Sequence, residues 1–183
     1  MSSPSTLRRF TLNARSCTSV AFLLVALATA DGAHAEDNPP IPERPGLFKA
    51  LDGEWVMTGD VMGEPVTYRM NAGPTLSGAF TEIHMIDVAV PPGYEARVFL
   101  GYDQDTQTVI THWLDSFGGK YSIPHGSGEL AANSVQFVVP YQSGAFRDTF
   151  THDPDAGTWL FVIEAQQPDG SWKHFARYSV RRW

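Results

Sequence analysis

Beyond residue 52 the chain reads as short apolar-rich stretches separated by turn-forming residues. Ten such stretches, at 53–60, 65–71, 79–89, 94–102, 107–115, 119–125, 134–141, 144–152, 157–166 and 171–182, carry the Val, Ile, Thr and aromatic content of β-strands. Between them stand Met62-Gly63-Glu64, Pro91-Pro92-Gly93, Asp103 to Thr106, Phe117-Gly118-Gly119, Asp153-Pro154-Asp155 and Pro168-Asp169-Gly170, combinations that favour turns. Alternation with a period of two is clear in 79–89. Thr81, Ile83, Met85 and Asp87 share one face there, and Glu82, His84, Ile86 and Val88 share the other. Both faces are mixed, which suits a barrel around a partly polar cavity. No stretch of helical length shows a 3.6-residue apolar period. Only 47–51 is expected to form one helical turn or a cap over a barrel end. Strands at this steady spacing predict an all-β fold, an antiparallel up-and-down barrel of about 8–10 strands that closes to remove its edges. A β-sandwich is the alternative.

One segment departs from this pattern. An apolar run of about a dozen residues, Ser19 to Ala30, follows Arg8, Arg9 and Arg15 and precedes Ala33-His34-Ala35. A basic start, a short apolar stretch and an A-x-A site describe a signal peptide over residues 1–35, cleaved before Glu36. A membrane-spanning helix needs roughly 20 apolar residues, so no membrane span is expected. The Arg8-Arg9 pair points to twin-arginine export, but Phe10 follows the pair directly, which favours general secretion. Cys17 precedes the apolar run, whereas a lipoprotein cysteine would follow it. Residues 36–46 (EDNPPIPERPG) read as a Pro-rich solvated linker, and 47–183 as the folded domain. The expected location is the periplasm or the medium.

Charge and cysteine content then exclude several function classes. The full chain carries −7. Without residues 1–35 it keeps 10 basic and 19 acidic residues, a net charge of −9. Such a surface disfavours nucleic acid and anionic membranes, whose binding rests on Lys and Arg. Cys17 is the only cysteine, so the domain has no disulfide, thiolate nucleophile or Cys-ligated metal. Ser116 lacks a G-x-S-x-G elbow, and no Gly-rich phosphate loop or other cofactor motif is present.

Gly53-Glu54-Trp55 resembles the G-x-W opening of lipocalins and their calycin relatives. That resemblance implies a tryptophan, Trp55, closing the barrel floor beneath an arginine from near the chain's end, with Arg177 the best match and Arg181 the second. The order continues with Gly101-Tyr102-Asp103 and Trp113-Leu114-Asp115-Ser116. Together these motifs resemble a bacterial family of exported lipocalin-like domains of unknown function over 47–183. The resemblance implies a fold and supplies almost no function.

Candidate ligand-binding residues are Tyr68, Glu82, His84, Tyr102, His112, Trp113, Asp115 and Arg147, strand-borne aromatic and polar groups of the kind that line small-molecule cavities. His84 and His112 are candidates to meet across strands; the alternative is that each histidine is an ordinary strand or surface residue, and no metal spacing is present. Asp115 reads either as a ligand anchor or as a cap on the turn at 117–119. In Arg147-Asp148, flanked by Phe146 and Phe150, one of the two charged residues must face inward. An inward Arg147 would need Glu82 or Asp115 as partner. Arg177-Tyr178 are adjacent and so face opposite ways, unlike the R-x-Y carboxylate clasp of fatty-acid-binding barrels. The leading expectation is non-catalytic binding of a small, partly apolar molecule, with heme as a variant in which His84 or His174 is the axial candidate. The alternatives are an enzyme using Asp115, Glu82 or His112, and an envelope interaction module with a filled core.

Overall fold

The computed structural model describes residues 40–183; the expected signal peptide, its cleavage site and the start of the expected linker lie outside the described residues. One short helix, α1 (Gly46–Ala50), precedes ten strands. These are β1 (Gly53–Val61), β2 (Glu64–Thr75), β3 (Phe80–Asp87), β4 (Glu95–Asp103), β5 (Thr108–Asp115), β6 (His125–Leu130), β7 (Ser134–Val139), β8 (Phe146–Asp153), β9 (Thr158–Gln166) and β10 (Trp172–Arg182). Every strand pairs antiparallel with its neighbours in sequence, and β1 also pairs with β10, closing the barrel. Nine of the ten expected strands lie close to where the sequence places them. The exception is 119–125, where the chain makes a single 3-10 turn at Gly119–Tyr121 before β6 starts at His125.

Period-two alternation sorts each strand into an inner and an outer face. Thr81, Ile83 and Met85 of β3 are buried, so the mixed strand is oriented with Glu82 and His84 outside. The barrel is unequal along its axis. At one end the interior is filled by Phe48, Leu51, Trp55, Leu100, Val109, Val135, Phe150, Trp159 and Val180. Here α1 lies across the opening, burying Phe48, and the Trp55 indole donates to the Leu51 carbonyl at 2.7 Å. Arg44 ties down the approach to α1: its guanidinium bonds Thr81 Oγ1, the Phe48 carbonyl and the Asp52 carboxylate. That side chain is largely buried, an exception within the stretch read as a solvated linker.

The arginine that covers Trp55 is Arg182, not Arg177 or Arg181. The register sets Trp55 opposite Arg182, whose guanidinium stacks 3.8 Å from the ring centre and donates to the Asp52 carbonyl. Gly53 makes this possible, since a Cβ there would stand 2.0 Å from the Arg182 guanidinium. Arg177 is exposed and stands opposite Asp60.

Candidate functional site

The other end of the barrel is open. β1–β2, β3–β4, β5–β6, β7–β8 and β9–β10 all turn at this mouth, and the side chains from their strand ends enclose a cavity of about 570 Å3. Its floor is Phe161, which stacks on Phe150 of the filled end with ring centres 3.8 Å apart. Above it stand Trp113, stacked on Phe161, and Tyr178. Tyr68 packs edge-on against both Tyr94 and Tyr178 at 5.8 Å. Nearer the mouth, Tyr94 meets Phe117, and Phe117 meets Tyr121. Across from them Tyr141, Phe146 and Phe175 form a second aromatic group. Phe175 reaches the cavity because β10 bulges between His174 and Ala176, which breaks the alternation and turns two successive residues inward.

Polar atoms enter this aromatic lining at few places. The Trp113 indole donates to the Tyr94 hydroxyl at 3.2 Å, and that hydroxyl donates to Asp115 at 3.4 Å. Asp115 also accepts the Phe117 amide at 2.9 Å. It is thus a turn cap and a cavity residue together, and the two readings of its sequence position are compatible. Asp87 performs the same work on the β3–β4 loop, accepting the Ala89 and Gly93 amides. Burial, strengthened by the Asp115 carboxylate, holds the Tyr94 phenol far above its ordinary acidity range. Burial likewise raises Tyr141 and Tyr178, with Asp148 adding to each.

Asp148 is the unusual group. It is 3% exposed, lines the cavity wall, and has no hydrogen-bond partner among the described residues. Burial pushes its carboxyl well above the usual carboxylate range. A carboxyl group whose ionisation burial disfavours therefore sits in an apolar wall, facing the space a ligand would fill. Phe146, Asp148 and Phe150 share the inner face of β8, while Arg147 is outside, paired with Glu164 at 2.6 Å and stacked on Trp172. Of the Arg147-Asp148 pair, the acid faces in. Two apolar neighbours at i±2 were the available signal for that choice.

The candidate residues from the sequence divide accordingly. Tyr68, Trp113 and Asp115 line the cavity together. Tyr102 packs on the core toward the filled end. Glu82 is outside, paired with Arg97, and His84 is outside, bonded to Glu95 at 2.7 Å. His84 and His112 do not meet, because β4 lies between their strands and sets Arg97 against His84 and Phe99 against His112. His112 is exposed and faces His125 instead. His174 is also outside, bonded to Asp60. Neither heme candidate therefore borders the cavity. Tyr94, Tyr141 and Phe175 are cavity residues that the sequence reading did not single out, and Asp148 entered it only as the alternative to Arg147. Among the described residues, no three His, Cys, Asp or Glu side chains converge to hold a metal, and no helix is long and apolar enough to cross a membrane.

Comparison with known proteins adds the fold's relatives. The crystal structure of Rv2717c from M. tuberculosis is similar to this chain, with a TM-score of 0.54 and 13% identity, covering 78% of this chain and 99% of that one. At this identity the likeness shows the fold alone. No curated protein matches the sequence. A family model described as a protein of unknown function, DUF1579, matches residues 43–182, from just before α1 to the end of β10, and the chain belongs to that family.

Proposed function

We propose that this is an exported, lipocalin-like protein that binds a small, partly apolar molecule in its barrel cavity without transforming it. The observation that carries the reading is the cavity itself. A volume of about 570 Å3 falls within the roughly 300–1,000 Å3 of small-molecule sites, and its lining is aromatic with few polar groups. A barrel serving only as a structural module gains nothing by leaving one end unfilled, since unfilled apolar space costs stability. The enzyme reading has less support. Of its named acid–base residues, Glu82 is held outside by Arg97 and His112 is exposed on the outer face, which leaves Asp115 alone at the cavity.

Native mass spectrometry of the protein purified from the cell envelope of its host tests this. A reproducible extra mass on the folded protein, released on denaturation, is the expected result, with the polypeptide mass starting at Glu36. A clean polypeptide mass, together with no uptake of a neutral apolar dye, would sink the binding reading. A polypeptide mass that retains residues 1–35 would overturn the cleavage.

A further inference from the structure

Tyrosines apart, the ionisable side chains of the cavity are all carboxylic acids. Glu64, Asp87, Asp115 and Asp148 line it, and among the described residues no Lys, Arg or His does. Of the basic residues beside lining positions, Arg147 is held outside by Glu164, Arg177 is exposed on the face of β10 opposite Tyr178, and Lys120 stands at the mouth over the ring of Tyr121. An acidic lining alone need not mean a ligand, because carboxylates cap turns, as Asp87 and Asp115 do here. Asp148 has no such role. It lies mid-strand, almost fully buried, and unpartnered among the described residues, with its side chain against the cavity. A buried polar group without a partner costs the fold free energy. A ligand that supplied the missing partner would remove that cost.

We infer that the cavity takes an amphipathic organic cation, an apolar body bearing one amine or quaternary ammonium group seated against Asp148; this rests on the cavity-binding reading above. Three physical terms favour it over a neutral or acidic ligand of the same shape. The cation lies among phenol and phenyl rings, Tyr68, Tyr141, Phe146 and Tyr178 included, whose faces attract positive charge. Its arrival gives Asp148 a reason to ionise, forming an ion pair where a lone carboxylate would be costly. The net charge of the whole chain, −7, raises the local concentration of cations at the mouth. A fatty-acid-like ligand meets the reverse of each term: seated beside Asp148, its carboxylate would be buried near other carboxyl groups, and the lining residues offer it no basic side chain.

Nile red, a neutral apolar dye, reports occupancy of the cavity irrespective of charge. Octylamine, 1-octanol and octanoate then compete for it at pH 7, differing only in the head group. Octylamine is expected to displace the dye at a concentration about tenfold or more below that of octanol, and octanoate to be the weakest, tenfold corresponding to about 1.4 kcal/mol. Asp148→Asn, which keeps the shape, is expected to bring octylamine to within about twofold of octanol, both measured as displacement of Nile red from that same variant. Asp115→Asn, at the more solvated mouth, is expected to narrow the gap less. Octanoate binding as well as octylamine, or an amine preference untouched by Asp148→Asn, would overturn the inference and leave cavity binding standing. If neither the dye nor any competitor binds by titration calorimetry, both readings fall together.

Discussion

A carboxyl group in an apolar wall weakens the fold in a way that pH reveals. Phe137 and Ile163 stand opposite Asp148 on the flanking strands, and the titratable groups acting with it are the phenols of Tyr141 and Tyr178. The folded-state pKa of Asp148 lies above the unfolded value of about 3.9, so the folded chain keeps a proton that the unfolded chain gives up. Its contribution is most favourable below that unfolded value and is lost as pH rises toward the folded-state pKa. Each factor of ten between the two acidities is worth about 1.4 kcal/mol. Asp148→Asn is therefore expected to raise the melting temperature at pH 7, by about 2–4 °C per kcal/mol recovered, with little gain at pH 4. Thermal unfolding followed by circular dichroism across this range checks it, and equal effects at both pH values would show that Asp148 is ionised in the folded state. The same residue marks where sequence reading was weakest. Alternation shows that Arg147 and Asp148 face opposite ways, but which faces inward is settled by what surrounds β8, and Glu164 and Trp172 capture Arg147 from strands far along the chain.

The strands of this barrel were legible because β-prone residues and turn chemistry agree along most of the chain. β6 was not, because its sequence, HGSGEL, has no β-branched residue and no Phe, Tyr or Trp. It is a strand for a reason supplied by its neighbour. A Cβ at Gly128 would lie 1.9 Å from the Gln136 carbonyl oxygen and 2.5 Å from the Phe137 Cα, so β6 approaches the backbone of β7 at a distance only glycine allows. Gly128→Ala is expected to destabilise the barrel by about 2–3 kcal/mol, because the obstructing atoms are main chain. Gly73→Ala is the control: a Cβ on that β2 residue meets nothing within 4 Å, and the change is expected to stay within about 0.5 kcal/mol. Denaturant titration of both variants measures the difference, and equal stabilities would show that β6 and β7 separate at no cost. The bulge at Phe175 belongs with β6 as a feature visible only in pairing: no residue type in 171–182 shows that the alternation breaks there and brings a ring to the cavity.

Across the whole molecule the barrel divides its labour along its axis. The filled end, under α1 and the Arg182–Trp55 stack, supplies packing, while the open end holds the cavity and the acid that packing alone would exclude. The architecture was legible in the number and spacing of strands. The division was not, because which residues fill one end and leave the other open depends on ten strands meeting in register. That register also closes β1 onto β10, with Trp55 opposite Arg182 and the Trp183 amide bonded to the Glu54 carbonyl. A ring of strands has no intrinsic first member; the order in which the chain visits them is a matter of where the backbone happens to be cut. Joining residue 183 to residue 44 through a short Gly-Ser segment and opening the β8–β9 turn between Asp155 and Ala156, which lies at the filled end, gives a circular permutant in which every pair of neighbouring strands is retained. It is expected to keep the strand signature in circular dichroism and the Nile red affinity of the parent. An unfolded permutant would show instead that the barrel depends on its native order of assembly, with β1 laid down before β10 can close upon it.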